Sequence, residues 1–130
     1  MIALDSSALL AIALHEADYE NCLATIEAEA NFVMSAVTLM EVSVVAMRRN
    51  ILPQMRLFIA EIAPTIVPVD EATAQRAVEI YALWGKGFHP AKLNLGDCFS
   101  YDTANQNNCP LLFIGNDFAQ TDLQSALDLK

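Results

Sequence analysis

The sequence predicts an α/β fold in which helices cover both faces of a parallel sheet. Three observations carry this expectation. Short apolar runs at residues 2–4, 32–34, 66–69 and 111–114 have the length and composition of buried strands. Longer stretches with apolar residues at helical spacing lie between them. Strands that alternate with helices are joined by crossovers, which set neighbouring strands parallel. With 130 residues, of which 55% are hydrophobic and 18% charged, the chain fits one globular domain over residues 1–130 with a substantial core.

The elements follow in order. Residues 2–4 form the first strand, which Asp5 closes. Ser6 or Ser7 then caps a helix over residues 8–14, because a hydroxyl there accepts from an orphan backbone N–H. A second helix runs over residues 17–30, and residues 32–34 are a strand. Residues 38–49 read as helix, ended by Asn50. Pro53 suits the first turn of a helix reaching residue 62, where its missing N–H costs nothing. After a strand at residues 66–69, Asp70 caps a helix with apolar positions at Ala74, Ala77, Val78, Tyr81 and Trp84. Gly85-Lys86-Gly87-Phe88-His89-Pro90 is the clearest loop. A helix over residues 95–107, a strand at 111–114 and a short edge strand at 123–127 complete the chain.

Bulk properties narrow the function classes. Net charge is −9, which argues against a general nucleic-acid binder. It leaves room for a metal-dependent nuclease, whose bound cations offset charge where phosphate arrives, and it suits a basic protein partner. The longest apolar run, residues 8–14, is too short to span a bilayer, and Met1-Ile2-Ala3-Leu4-Asp5 lacks the basic start of a signal peptide. The expectation is a cytoplasmic protein. Cys22, Cys98 and Cys109 form no C-x-x-C pair and read as reduced thiols without a zinc site. Cys98 adjoins Asp97 on a different helical face and receives no role.

The acids carry the functional signal. Asp5 closes a strand, Glu41 is the lone charge between Val37 and Met47, Asp97 opens a helix, and Asp117 follows the last apolar run. Burying a carboxylate is costly unless it is paired or coordinated. Ligands in parallel sheets bind beyond the carboxyl ends of the strands, where Asp5 and Asp117 fall. Each acid also has a plain structural explanation. Asp5 could be an N-cap. Thr38-Leu39-Met40-Glu41 matches a capping box, although Glu41 shares a face with Val37, Val44 and Val45. Asp97 sits in a first helical turn, favourable to the helix dipole, and Asp117 sits in turn composition. Asp70 reads as a cap alone. Asp102, five residues past Asp97, faces away and reads as solvated. Asp122 is a reserve metal ligand. Together the four acids suit Mg²⁺ or Mn²⁺, hard cations that prefer oxygen ligands. Neither His15 nor His89 pairs with a nucleophile.

With these residues in place, the chain resembles the PIN-domain ribonucleases, and among them the toxins of VapBC-type toxin–antitoxin modules. The resemblance rests on Asp5 after an N-terminal strand, S-A-V-T-L-M-E-V around Glu41, L-N-L-G-D-C at residues 93–98 and L-L-F-I-G-N-D-F at residues 111–118. It covers essentially the whole chain. It implies an α/β/α sandwich with a central parallel sheet and Mg²⁺- or Mn²⁺-dependent endonucleolytic cleavage of RNA. The acidic quartet maps onto Asp5, Glu41, Asp97 and Asp117. Asp5 and Asp97 would be the principal metal ligands, with Glu41 and Asp117 holding a second ion or orienting water. Ser7 matches a position that often carries a hydroxyl near the site. The resemblance also implies a homodimer and a cognate antitoxin whose C-terminal segment covers the pocket. The chain departs from many of these toxins in having only seven Lys and Arg. Arg48, Lys86 and Lys92 are the expected phosphate contacts.

Two other classes compete. A dehalogenase-type phosphatase would need a second Asp where Ser7 stands, and a receiver domain would need paired acids near its first strand. The remaining alternative is a non-catalytic PIN scaffold that binds a partner or RNA.

Overall fold

A computed structural model describes residues 1–128. Among the described residues, four strands form one sheet: β1 (Ile2–Leu4), β2 (Phe32–Ser35), β3 (Thr65–Val67) and β4 (Leu111–Leu112). Their order is β3-β2-β1-β4, and every neighbouring pair is parallel. The helices are α1 (Ser6–Ala13), α2 (Tyr19–Glu27), α3 (Ala36–Arg48), α4 (Leu52–Ile62), α5 (Glu71–Trp84) and α6 (Leu95–Gln106).

The pleat sorts the strand side chains into two cores, because successive residues point to opposite faces. Ile2, Leu4, Phe32, Met34 and Leu112 enter one core, with Leu9 of α1, Cys22 of α2, Val42 of α3 and Met55 of α4. Ala3, Val33 and Leu111 enter the other, with Ala77 and Ile80 of α5 and Tyr101 and Ala104 of α6. Helices therefore cover both faces, and the fold is the expected three-layer α/β/α sandwich. Fully buried Leu9, Met34 and Met55 each contribute about 1.5–3 kcal/mol by leaving water.

Several local boundaries differ from the sequence reading. The N-cap of α1 is Asp5, not Ser6 or Ser7; its carboxylate accepts from the Ser7 backbone N–H. Helix α3 begins at Ala36, where Ser35 Oγ accepts from Val37 N at 3.1 Å. Thr38 is consequently inside the helix and Glu41 lies beyond the capping-box position. Strand β3 ends at Val67 because Pro68 has no N–H for the ladder. Helix α5 has the expected Asp70 cap, completed by Thr73 as a capping box. Its buried face is Thr73, Ala77 and Ile80, while Val78 is 69% exposed. Residues 123–127 do not form an edge strand. They make one parallel bridge, Leu111 to Ser125, then enter a 3-10 turn at Ala126–Asp128, because two-residue β4 offers little ladder to extend.

Asp102 is the clearest correction. It is buried, not solvated, and its two oxygens accept from Arg76 Nε at 2.8 Å and Nη2 at 3.1 Å. Five residues past Asp97, the helix has turned this side chain to the face covered by α5.

Candidate active site

All four strands run the same way, so their carboxyl ends share one edge of the sheet. There the chain leaves β1 at Asp5, passes from β2 into α3, and leaves β4 towards Asp117. Helix α6 delivers its first turn, with Asp97, to the same edge.

Asp5 is 4% exposed and anchors the site. Its Oδ2 accepts from Ser7 N at 3.1 Å and Ser7 Oγ at 2.6 Å. Its Oδ1 accepts from Ser100 Oγ at 2.6 Å. Ser7 Oγ also accepts from Ile114 N at 3.0 Å, which ties the end of β4 to the end of β1. Burial of the Asp5 charge is thus offset by three donors.

Glu41 and Asp97 sit half-buried beside it. Burial pushes Glu41 up to about 6, and the charges of Asp5 and then Asp97 push the same way. Burial also pushes Asp97 up to about 6, opposed by the Asn94 backbone N–H and reinforced by Asp5 and Asp117. These couplings place Asp5, Glu41, Asp97 and Asp117 in one electrostatic neighbourhood. Asp117 is its exposed member. The plain explanation of Asp97 holds alongside: its Oδ2 accepts from Asn94 N at 3.0 Å and Asn94 Oδ1 accepts from Asp97 N at 2.8 Å, a complete capping box. Its Oδ1 stays clear of that box.

Gly96 explains how Glu41 reaches α6. A side chain at Gly96 would collide with the Glu41 carboxylate. The Glu41 carboxylate therefore rests on the first turn of α6, at the positive end of the helix dipole, in space only a glycine leaves open.

The other expected residues divide. Ser7 is at the site. Asp122 is not gathered with the quartet: it accepts from Tyr101 Oη and lines a cleft with Ala104, Asn108 and Pro110, towards the other end of α6. Arg48, in the last turn of α3, and Lys86 and Lys92, in the loop before α6, are exposed, and none of the three forms an ion pair among the described residues. Sequence reasoning missed Ser100 and Thr38, whose hydroxyls lie 3.0 Å apart behind Asp5. The available signal was spacing: Thr38 is one turn before Glu41 and Ser100 one turn after Asp97, each on the same helical face as its acid.

The donor set is chemically uniform. It offers carboxylate oxygens and no imidazole. Cys98 is buried, donates to the Asn94 carbonyl, and is pushed up to about 11, chiefly by burial and then by Asp97. Oxygen donors of this kind fit a hard divalent cation rather than zinc. Among the described residues, no three ligating side chains converge closely enough to grip an ion as they stand.

Residues 2–123 match the family described as PIN domain. The chain belongs to the PIN-domain family. Its relatives include VapC ribonuclease Mb0640 of Mycobacterium bovis, 39% identical over 127 residues, covering 94% of this chain and 95% of that protein. Ribonuclease VapC36 of Mycobacterium tuberculosis is 37% identical, covering 92% of this chain and 89% of that protein. Among solved structures, Mycobacterium tuberculosis VapC20, described as a sarcin-ricin loop cleaving toxin, shares the fold at a TM-score of 0.77 and 14% identity, covering 95% of this chain and 96% of that one. A toxin–antitoxin complex from Klebsiella pneumoniae aligns at a TM-score of 0.73 and 21% identity, covering 94% of this chain and 93% of that one. This PIN domain contains no helix, among its described residues, long and apolar enough to cross a membrane.

Proposed function

We propose that this PIN domain, acting as a single domain over residues 1–130, is a Mg²⁺- or Mn²⁺-dependent endoribonuclease and the toxin of a type II toxin–antitoxin module. The observation that carries this reading is the gathering of Asp5, Glu41, Asp97 and Asp117 at the carboxyl edge of the sheet, in a chain whose relatives are named VapC ribonucleases. Asp5 and Asp97 are the principal cation ligands, with Glu41 and Asp117 completing the set. The cation supplies activation of water and stabilisation of the leaving oxygen on phosphate.

The chain's own residues do the rest. Ser7 holds Asp5 against the end of β4. The α6 N-terminus, with Gly96, receives Glu41. Arg48, Lys86 and Lys92 contact the RNA backbone, an interaction that weakens with salt. A cognate antitoxin and a second copy of the chain are the protein partners. The toxin–antitoxin complex among the similar folds supports the first, and exposed Val78, Leu83 and Leu95 offer apolar surface for partner burial. The protein works in the cytoplasm.

The test is cleavage of total RNA by purified protein with Mn²⁺, Mg²⁺ or EDTA, beside Asp97→Asn. Metal-dependent cleavage lost in the variant supports the proposal. Cleavage unchanged in EDTA or in the variant overturns it.

A further inference from the structure

Asp5 has three protein donors, and their distribution is unequal. A carboxylate offers about four lone-pair sites, two on each oxygen. Ser7 N and Ser7 Oγ both donate to Oδ2, which fills that oxygen. Ser100 Oγ donates to Oδ1 and leaves one site there open. The open site on Oδ1 is the place where Asp5 can still take a ligand.

Ser100 spends its one hydroxyl proton on Asp5. The proton between Ser100 Oγ and Thr38 Oγ1, 3.0 Å apart, therefore comes from Thr38. Both residues are 0% exposed, so no solvent competes for these bonds. The direction is thus fixed: Thr38 donates to Ser100, and Ser100 donates to Asp5. Hydrogen bonds in such a chain polarise and strengthen one another. The chain also crosses the architecture, from α3 through α6 to the end of β1. Those elements carry Glu41, Asp97 and Asp5.

We propose that Ser100, backed by Thr38, is a positioning residue that fixes the Asp5 carboxylate so that Oδ1 presents its one open lone pair to the cation. This rests on the reading of Asp5 as a cation ligand. Ser100 acts through Asp5 and takes no place among the ligands. Without its hydroxyl, Oδ1 has two open sites and the carboxylate is held through Oδ2 alone, so its orientation loosens and part of the cation's binding free energy goes into ordering it. Removing a partner that orients a metal ligand typically weakens binding about 10- to 100-fold.

The experiment is Mn²⁺ titration of the full chain, followed by the electron paramagnetic resonance of unbound Mn²⁺, for wild type, Ser100→Ala, Thr38→Val, Thr38→Ser and Asp5→Asn. Ser100→Ala is expected to raise the Mn²⁺ Kd about 10-fold or more. Thr38→Val raises it less, and Thr38→Ser, which keeps the hydroxyl, stays near wild type. RNA cleavage by Ser100→Ala recovers as Mn²⁺ is raised, at a temperature where circular dichroism shows the variant fully folded without metal, so that the recovery reports cation binding and not rescued folding. If Ser100→Ala fails to fold, the double variant Thr38→Val/Ser100→Ala leaves no hydroxyl orphaned and is expected to show the same weakened binding. Wild-type Mn²⁺ affinity in Ser100→Ala or in the double variant, with binding lost in Asp5→Asn, overturns the positioning role alone. Wild-type affinity in Asp5→Asn overturns the cation site itself.

Discussion

Helix α6 carries two half- or fully buried carboxylates, and the chain treats them in opposite ways. Asp102, on the face under α5, receives a bidentate Arg76. Asp97, on the face towards the sheet edge, receives a backbone N–H and the company of Asp5, Glu41 and Asp117. One acid is neutralised within the fold. The other is set among like charges, with no ion-pair partner among the described residues. A structure built for stability alone would favour the first arrangement, since an unpaired charge is costly to bury. The second arrangement makes sense when a diffusible cation completes the charge balance.

Exchanging each acid for its amide gives the sharpest contrast. Asp97→Asn, or Asp5→Asn, is expected to lower RNA cleavage about 100-fold or more, the scale of losing one charged stabiliser. Asp97→Asn keeps or raises the melting temperature measured in EDTA, because it removes a charge disfavoured first by burial and then by its acidic neighbours. Asp102→Asn does the reverse: it lowers the melting temperature by several degrees and leaves cleavage per folded molecule unchanged. Equal effects of the two exchanges on cleavage and melting would erase the distinction.

Gly96→Ala separates activity from stability on a smaller scale. The new Cβ meets the far end of the Glu41 side chain, which can swing away, and alanine gains about 1 kcal/mol over glycine within a helix. Cleavage is expected to fall about 10-fold with melting unchanged or raised, on the scale of disturbing a ligand's support. Loss of both together would place the glycine's role in folding.

Acidity tests the burial and the repulsion together. Glu41 and Asp97 are raised from 4.5 and 3.8 to about 6. Between about pH 4 and pH 6 they hold protons in the folded chain that the unfolded chain releases. Their contribution to stability is therefore present at low pH and lost as pH rises through that window. In EDTA, Glu41→Gln is expected to gain melting temperature relative to wild type as pH rises from 4 to 7. A constant difference would show that neither burial nor the neighbouring charges disfavour the ionised Glu41. By the same protonation, Mn²⁺ affinity of wild type weakens as pH falls through about 6.

The cations give the smallest effects. Lys86→Ala, Lys92→Ala and Arg48→Ala are each expected to weaken RNA binding several-fold and to lower the magnitude of the salt slope by about 1. Binding and salt slope unchanged in all three would leave the RNA path elsewhere.

The periodicity of the sequence was enough for the layered fold, because apolar strands two to four residues long sort into two cores by parity alone: Ile2 and Leu4 against Ala3. The edge that gathers the acids was legible for the same reason, since parallel strands end together. Cap identity was less legible. Asp5, Ser6 and Ser7 are three consecutive cap-forming residues, and only the path of the backbone selects Asp5. Asp102 was misread because a helix face is polar or apolar to the eye, whereas its burial depends on α5, whose Arg76 lies 26 residues away. Thr38 and Ser100 were missed because hydroxyls inside helices are ordinary, and their meeting spans 62 residues of sequence.

Titration of Mn²⁺ into wild type and Asp97→Asn, read by melting temperature at neutral pH, decides whether the four carboxylates share one cation. A cation held only by the folded pocket stabilises by mass action, about 2.7 kcal/mol at one hundred times its Kd. The expected result is a saturable rise in the wild type that is absent or much reduced in Asp97→Asn. An unchanged wild type, or an equal rise in both proteins, would contradict a shared cation site at the four carboxylates.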